Sequence, residues 1–459
     1  MADKTYYIET FGCQMNVHDS EKVRGMLAMR GYEQKESADD ASLILYNTCS
    51  IRDKAEQKVF HRLDLWKRDA KGKKIGVLGC VAQHNGEAIF ETAPHVDLVC
   101  GSASYNQLPQ LLDRLDAGER RVTGLNLDTD ETFDLPVAER DNPHSAFLTI
   151  IEGCNKNCSY CVVPFTRGPE RSRSSASVME EAARIVAGGI ADITLLGQTV
   201  NSYRDPSPAG WTFARLLAAI GEMEGVRRVR FTTSHPQDFT RDIVEAIESN
   251  QRLCDWIHLP VQSGSSRLLA AMRRTYSRDQ YLRVIDMIKA ANRQIALSTD
   301  IIVGFPGETQ QDFEDTLSLL QEVEYASLFA FKYSPRKGTD SMDYADHVPE
   351  EEKKERLSIL QNLQQRIQRK HNESRVGMDE DALVEGYRDK FQQWIGRTTQ
   401  NRVLNFDDPR GFAAGQDLRG AYCNVRVTKA GPNGLIGELV SVAHRPLAAR
   451  SAPALHVLQ

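Results

Sequence analysis

Three cysteines near the middle of the chain have the spacing of a metal-cluster site. Cys154, Cys158 and Cys161 form a C-x₃-C-x₂-C run in GCNKNCSYC, directly after the apolar stretch FLTII. Three thiolates this close in sequence ligate three irons of a cubane cluster and leave the fourth iron open. An open iron is what S-adenosylmethionine (SAM) needs in order to be chelated, to receive an electron and to split into a 5′-deoxyadenosyl radical. The run therefore predicts a [4Fe-4S] cluster that works with SAM.

The alternatives for this run are a zinc site or three unrelated core thiols. Structural zinc sites close four ligands around one ion and commonly pair two C-x₂-C spacings. No second C-x₂-C follows Cys161. The triple spacing therefore favours the iron–sulfur interpretation.

A second set of cysteines is dispersed over the first eighty residues. Cys13, Cys49 and Cys80 each come at the end of a predicted strand, in ETFGC, LYNTC and VLGC. Because the ends of parallel strands lie side by side at one edge of a sheet, these thiols are predicted to converge on a second [4Fe-4S] cluster. Small buried core residues are an equally good interpretation of strand-end cysteines. Cys100 competes for a place in the set, since it ends the next strand in the same way.

Strand and helix patterns alternate in the part of the chain that carries the second set. The apolar runs YYIETFG, SLILYNT, KIGVLG and VDLVC are separated by amphipathic stretches. Such alternation is typical of a doubly wound parallel α/β sheet. We therefore expect an α/β domain over residues 1–120, followed by a polar linker over 121–145.

The central part of the chain repeats this alternation over a longer span. Its strand candidates are FLTII, DITLLG, VRFTT, DWIHLP, ALSTDIIVG and SLFAFKY. Six strand–helix units form a partial (β/α)6 barrel or an open parallel sheet, predicted here for residues 146–375. Polar motifs such as GQTVN, LPVQSGS and GFPGE follow these strands, at the edge where parallel α/β folds build their active sites.

The last part of the chain changes character. Short strands such as ALVEGY, AYCNVRVTK and GLIGELV alternate with Gly, Asn and Asp. This pattern predicts a small antiparallel β-barrel or sandwich over residues 376–442, with a tail over 443–459.

Composition restricts the class of protein. The net charge of −6 is unlike that of a small basic nucleic-acid binder, so RNA contact would come from local basic groups. We predict such a group at Lys156, Arg167, Arg171 and Arg173; the alternative is a solvated charged face. No run of about 18 apolar residues and no apolar segment behind a basic start are present, so we expect a cytoplasmic protein with no membrane contact.

The cysteine run and its surroundings resemble known enzymes. C-x₃-C-x₂-C is the hallmark of the radical SAM superfamily, and the resemblance covers residues 147–375. It implies an incomplete (β/α)6 barrel with the cluster at its C-terminal mouth. It also implies SAM contacts at Asp300, Ile302 and Glu308, in and before GFPGE. Gln198 and Gln262 are predicted as further SAM contacts from their location after predicted strands.

A narrower resemblance covers nearly the whole chain. FGCQMNVHDS, NTCSIRDKA and GCVAQ resemble the three N-terminal blocks of the methylthiotransferase family of radical SAM enzymes. GCNKNCSYCVVPFTRGPERSRS is similar to the central block, and LLGQTVNSY, LPVQSGS and STDIIVGFPGE continue it in the family's order. The resemblance implies that Cys80, not Cys100, completes the second set. It also implies that the C-terminal barrel is a TRAM domain, which binds RNA in this family.

The residues after the first cysteine indicate a branch of the family. GCQMN is closest to the branch that adds a methylthio group to C2 of N6-isopentenyladenosine beside the anticodon of tRNA. The branch acting on a ribosomal-protein aspartate usually has Pro-Lys-Asn after this cysteine, and the branch acting on threonylcarbamoyl-adenosine usually differs at Met15. Those two substrates are the alternatives.

The resemblance also implies cofactors and partners. Two [4Fe-4S] clusters divide the work, one cleaving SAM to a radical and one delivering sulfur, and a second SAM per turnover supplies the methyl group. The partners are tRNA with an adenine-rich anticodon loop carrying isopentenyladenosine and a flavodoxin- or ferredoxin-like reductant protein. The chain is expected to act as a monomer.

Overall fold

The computed structural model describes residues 4–50, 53–68, 72–127, 135, 137 and 140–444. The predicted tail from residue 445 onward, and most of the segment 128–139, lie outside these residues. In the order of the chain, the described part forms a parallel α/β domain, a six-stranded α/β barrel segment and a small closed β-barrel. The fold class predicted from the sequence is confirmed.

The first domain is built on a six-stranded parallel sheet with the order β2-β1-β3-β4-β5-β6. Its strand β3 is buried at every position, as parallel strands covered on both faces must be. The elements are β1 (Thr5–Phe11), α1 (Gln14–Met29), β2 (Glu33–Gln34), β3 (Leu43–Thr48), α2 (Asp53–Leu65), β4 (Lys74–Gly79), α3 (Cys80–Asn85), α4 (Ala88–Thr92), β5 (Leu98–Cys100), α5 (Leu108–Asp116) and β6 (Val122–Gly124).

Strand β6 lies inside the segment 121–145 that the sequence predicts as a linker. It pairs with β5 at the edge of the sheet, so this sheet extends to Gly124. Three residues, VTG, are too few to show a periodic pattern among polar neighbours. For this reason the sequence does not reveal the strand.

The central domain has six parallel strands in two groups of three, with the orders β11-β10-β7 and β12-β13-β14. A single bridge between Val229 and Leu253 joins the groups, so the strands follow one another around a partial barrel. The elements are β7 (Ser145–Thr149), β8 (Ile151–Glu152), α6 (Val163–Arg167), β9 (Arg171–Ser172), α7 (Ser175–Ala187), β10 (Asp192–Leu196), α8 (Phe213–Glu222), β11 (Arg228–Phe231), α9 (Arg241–Ser249), β12 (Trp256–His258), α10 (Ser266–Ala271), α11 (Arg278–Lys289), β13 (Ala296–Val303), α12 (Gln310–Val323), β14 (Ser327–Lys332) and α13 (Glu350–Glu373).

Local sequence signals set where the barrel helices begin. The hydroxyls of Ser174, Thr212, Ser277 and Thr309 accept hydrogen bonds from the first turns of α7, α8, α11 and α12. Such N-caps satisfy backbone N–H groups that have no partner within the helix. Each of these helices therefore begins directly after a residue that the sequence specifies, and the segments between strand and helix differ in length.

The C-terminal domain is a closed barrel with the strand order β15-β16-β17-β19-β18. Its strands are β15 (Asp379–Arg388), β16 (Gln393–Thr398), β17 (Val403–Asp407), β18 (Tyr422–Gly431) and β19 (Gly434–His444). Four pairs are antiparallel, as predicted, but β17 and β19 pair in parallel. Five strands cannot alternate in direction all the way around a ring, so one pair in the same direction is required.

No helix in the described part of the chain is both long enough and apolar enough to cross a membrane.

Candidate active site

The three central cysteines lie on the loop that connects β8 to α6, at the mouth of the barrel. All three residues are partly exposed. The backbone N–H of Lys156 donates to the Sγ of Cys154 at 3.4 Å. Ser159 fixes the loop to the end of α10, since its N–H donates to Met272 and its hydroxyl to Ala271. The loop is thus anchored at a residue between its second and third cysteines.

Gly153 explains how the loop can turn directly before the first of these cysteines. Its φ is +72°, and a Cβ at this position would meet the backbone carbonyl of Pro169. Only glycine accepts both this conformation and this close approach at low cost.

The buried thiols of this loop are expected to ionise only when a positively charged metal centre binds them. Burial raises the pKa of Cys161 to about 12, and burial likewise raises the pKa of Cys154. The Nη1 of Arg274 donates to the Sγ of Cys158 at 3.4 Å. Metal coordination deprotonates such thiols, and a neighbouring guanidinium supports the resulting negative charge.

The three N-terminal cysteines follow β1, β3 and β4, which are neighbours in the sheet. Cys13 lies directly before α1, Cys49 follows β3 and Cys80 opens α3. The thiols of Cys13 and Cys49 are within hydrogen-bond contact, and this contact, together with Arg167, lowers the pKa of Cys13 to about 6 against the effect of burial. Parallel topology therefore brings together cysteines that are up to 67 positions apart in the sequence.

Cys100 lies apart from this arrangement. It is fully buried at the end of β5, and its thiol points to the carbonyl oxygens of Gly101 and Ser104 in its own turn. Burial raises its pKa to about 12. Cys100 is thus a core thiol.

Buried amides support the N-terminal cysteines, and sequence reasoning missed them. The Oδ1 of Asn16 accepts from both the N–H and the thiol of Cys13 at 3.3 Å. Asn47 connects this amide to the sheet, since its Nδ2 donates to the carbonyl of Asn16 and to the hydroxyl of Ser20. The signal was present, because both asparagines lie beside the cysteines in GCQMN and LYNTC.

The donor chemistry at both places fits cubane clusters. Each place offers three thiols at strand ends or on one loop, with an arginine close to the sulfur atoms. Within the described ranges, no three His, Cys, Asp or Glu side chains are set to hold a single metal ion. A cubane does not require such convergence, because each thiolate ligates an iron of its own.

The predicted SAM contacts occupy three different environments. The Oε1 of Gln198 is shielded from solvent and accepts no hydrogen bond from any described residue, so it fits a donor on a bound ligand. Gln262 has a φ of +77° and joins the strand ends through hydrogen bonds with the backbone of Asp300 and Ile302. Glu308 is buried, and its carboxylate pairs with Arg356 and accepts a hydrogen bond from the backbone N–H of Gly304. It therefore stabilises the GFPGE loop.

Asp300 and Ile302 lie on the inner face of the barrel. They pair in register with Phe329 and Phe331 of β14, whose rings are half exposed. Paired residues of neighbouring strands point to the same side of a sheet. The inner face thus combines a carboxylate with two open aromatic rings.

The four residues predicted to contact RNA are placed differently. Lys156 is partly exposed and pairs with Asp238 at 2.6 Å. Arg171 lies near Glu152, and its guanidinium nitrogens are shielded from solvent although the residue is partly exposed. Arg167 and Arg173 are buried, with 5% and 3% of their surface exposed. They pair with carboxylates inside the protein and do not present their charge at the surface.

A second arginine group, at residues 227–230, belongs largely to a domain boundary. Arg228 donates to the carbonyl oxygens of Asp381 and Arg397, and Arg230 to that of Thr398. These contacts dock the C-terminal barrel against β11 and bury the side chains of Arg228 and Arg230.

Three family models match the chain in the order of its domains. They are the uncharacterized protein family UPF0004 over residues 5–101, the radical SAM superfamily over 148–320 and the TRAM domain over 373–440. A radical SAM domain implies a [4Fe-4S] cluster and SAM, as the central cysteine run predicted.

Solved structures share the fold. The radical SAM methyltransferase TsrM from Kitasatospora setae, with cobalamin and a [4Fe-4S] cluster bound, superposes with a TM-score of 0.56 at 12% identity over 74% of this chain and 77% of its own. The cobalamin-dependent radical enzyme OxsB gives a TM-score of 0.52 at 12% identity, over 79% of this chain and 56% of its own.

Curated relatives extend over almost the whole chain. A tRNA-2-methylthio-N(6)-dimethylallyladenosine synthase of Solibacter usitatus is 62% identical over 95% of this chain and 98% of its own length. Proteins of the same name from Geotalea uraniireducens and Aquifex aeolicus are 44% and 42% identical over 95% and 96% of this chain, and each match covers 99% of the relative's own length. The two cysteine sets, the three matched domains and this similarity lead to one conclusion: the chain belongs to the tRNA-2-methylthio-N(6)-dimethylallyladenosine synthase family of radical SAM methylthiotransferases.

Proposed function

We propose that this chain adds a methylthio group to C2 of N6-isopentenyladenosine in tRNA, at the adenine next to the anticodon. One observation carries the proposal: two sets of three cysteines, each one thiol short of the four irons of a cubane, occur in one chain whose relatives bear the name of this reaction. The C2–H bond of adenine is too weakly acidic for removal by a side-chain base, so radical chemistry is required. Neither alternative substrate is favoured by any of these relatives.

Cys154, Cys158 and Cys161 would hold one [4Fe-4S] cluster, and Cys13, Cys49 and Cys80 would hold another. When bound, the first supplies the electron that cleaves SAM, and the second supplies sulfur on its open iron. Since each set has three thiols, one iron of each cluster would have no cysteine ligand and would be open to a substrate.

The residues around the central loop would bind SAM and stabilise the cysteine thiolates that hold the cluster. Arg274 supports the charge on Cys158, and the unpartnered Oε1 of Gln198 is available to accept from an amino or hydroxyl group of SAM. Gln262 holds the neighbouring strand ends at a fixed spacing through its backbone. The side chains of Arg274 and Gln198 and the backbone of Gln262 would therefore position the cluster and SAM.

The inner face of β13 and β14 is suited to the target base. Phe329 and Phe331 present open aromatic rings beside Asp300 and Ile302. A nucleobase that has left the anticodon-loop stack gains stacking energy on such rings, and loop bases leave the stack more readily than duplex bases. We infer that adenine enters the barrel mouth against this face.

The remaining parts of the proposal follow from the chemistry. A one-electron protein donor of the flavodoxin or ferredoxin type supplies the reducing equivalents, and two SAM molecules are used per turnover, one for the radical and one for the methyl group. Both cysteine sets are within one chain, so a monomer is sufficient. The substrate tRNA is cytoplasmic in bacteria, and we place the enzyme there.

The proposal is tested in a bacterial strain whose own 2-methylthio activity has been deleted. The chain, a Cys154→Ala variant and a Cys13→Ala variant are each expressed, and nucleosides of bulk tRNA are measured by mass spectrometry. We expect 2-methylthio-isopentenyladenosine to appear with the parent chain only. If isopentenyladenosine stays unmodified while 2-methylthio-threonylcarbamoyl-adenosine or a modified ribosomal protein appears, the proposed substrate is refuted.

A further inference from the structure

Arg167 links the two cysteine sets. It is the last residue of α6, six positions after Cys161, and only 5% of its surface is exposed. Its Nη2 donates to the Oδ2 of Asp19 at 2.6 Å. Asp19 is itself buried on α1, six positions after Cys13. The segment after Cys13 and the segment after Cys161 thus meet in one buried ion pair.

The same guanidinium also faces the N-terminal thiols. Arg167 hydrogen-bonds to the thiol of Cys80, and its charge acts on Cys13 as well. A guanidinium has five N–H donors in a planar fork, so one group can serve a carboxylate and a sulfur atom together. The cation at the N-terminal set is therefore supplied by the central domain.

We propose that Arg167 is a positioning residue for the N-terminal cluster: it holds Cys80 and Asp19 in place and offsets the negative charge of a cluster bound to thiolates. The N-terminal set is then complete only when the central domain is docked on it. The inference rests on the proposed two-cluster function. This role explains why Arg167, which follows the cysteine loop of the central domain, is buried at the cysteine set of the N-terminal domain.

A neighbouring ion pair provides a matched control. Lys22, also on α1, pairs with Glu152 of the central domain at 3.6 Å, and both side chains are buried. This pair crosses the same domain boundary three residues further along α1. Its removal tests whether any buried interdomain pair has the effect assigned to Arg167.

The test uses the full chain, its Arg167→Gln and Arg167→Lys variants and Lys22→Met. Each protein is loaded anaerobically with iron and sulfide. Bound iron is counted, and the cysteines protected from an alkylating reagent are mapped by mass spectrometry. The parent is expected to bind about eight irons with both sets protected. R167Q is expected to bind about half of that iron and to expose Cys13, Cys49 and Cys80 to alkylation, while R167K recovers part of the iron and K22M binds the parent's amount.

Three outcomes would overturn the inference. In the first, R167Q binds as much iron as the parent and protects the same cysteines. In the second, R167Q loses protection from alkylation equally at both cysteine sets. In the third, K22M loses as much iron and protection as R167Q. The second outcome would mean a general loss of folding. A parent protein that protects only one set would instead refute the two-cluster function, and the inference with it.

Discussion

The guanidinium of Arg274 donates a hydrogen bond to the Sγ of Cys158 and is held in that position by two further contacts. Its Nε donates to the hydroxyl of Tyr276 at 2.8 Å, and its Nη2 donates to the carbonyl of Pro260 at 3.0 Å. Hydrogen bonds to cluster sulfurs tune both the stability and the reduction potential of a cluster. Arg274 therefore connects the loop after β12 to the electron-transfer step.

Replacing Arg274 by Met is expected to lower the rate of reductive SAM cleavage by about 10–100-fold, the range typical of lost support around a metal site. The measurement is 5′-deoxyadenosine formation with a chemical reductant, together with the midpoint potential of the central cluster. Arg273→Met is the control, since that neighbouring side chain is exposed and pairs with Asp340. Equal rates for R274M and the parent would contradict the assigned role.

Gly12 is expected to tolerate no side chain. Its φ is +131°, and a Cβ would meet the Cβ of Cys49 and lie 2.6 Å from the Oδ1 of Asn16. Gly12→Ala should therefore displace the N-terminal thiols and reduce bound iron to roughly half of the parent's two clusters. Gly31→Ala is the control, because Gly31 has a φ of +77° with nothing within 4 Å of the added Cβ. If both variants lose iron equally, backbone strain and not the contact with Cys49 is responsible.

The sequence was sufficient for the architecture, because strong periodic patterns encode it. All six strands of the central barrel were predicted, from FLTII (β7) to SLFAFKY (β14). The C-x₃-C-x₂-C run is local, so its site was also predictable. For Cys13, Cys49 and Cys80 the spacing left Cys100 as an alternative, since β5 is next to β4 in the sheet. Only the resemblance and the contacts of the buried Cys100 thiol with its own turn separate Cys100 from the set.

The environment of the site was not predictable, because it depends on contacts between domains. Arg167 and Arg173 look like surface basic residues in PFTRGPERSRS, yet both are buried in ion pairs. Arg228 likewise docks the last domain and is not exposed. A sequence shows the charge of a side chain but not which distant carboxylate or carbonyl will meet it.

The docking of the C-terminal barrel is expected to depend on Arg228. Its buried side chain donates at 2.7 Å and 2.8 Å to carbonyl oxygens of Asp381 and Arg397. Charged hydrogen bonds of this kind contribute about 1.5–3 kcal/mol each, so Arg228→Met should weaken the docking of the barrel. Limited proteolysis after α13 should accelerate and affinity for tRNA should fall, while SAM cleavage without tRNA stays at the parent's rate.

The control for this variant is Arg426→Met, which removes an exposed ion pair with Asp379 within the barrel itself. Exposed pairs contribute about 0–1 kcal/mol, so neither proteolysis nor tRNA affinity should change. A loss of SAM cleavage in R228M would contradict the prediction, because it would place the effect in the central domain.

Asp312 gives the central domain a defined dependence on pH. Burial raises the pKa of this carboxyl, but hydrogen bonds from Arg267, Ser265 and Thr309 outweigh burial and hold the pKa below its ordinary value of 3.8. Because the folded-state pKa is depressed, the contribution of Asp312 to stability is complete above pH 3.8 and is lost as the pH falls toward the folded-state value.

Asp312→Asn should therefore lower the thermal midpoint of the cluster-free protein by about 4–8 °C at pH 7. The difference from the parent should stay constant down to about pH 4.5 and shrink in more acidic buffer. The control is Glu314→Gln, at an exposed position of the same helix, which should leave the thermal midpoint unchanged at every pH. If the difference between D312N and the parent grew on acidification, the linkage would have the opposite sign and the assignment would be refuted.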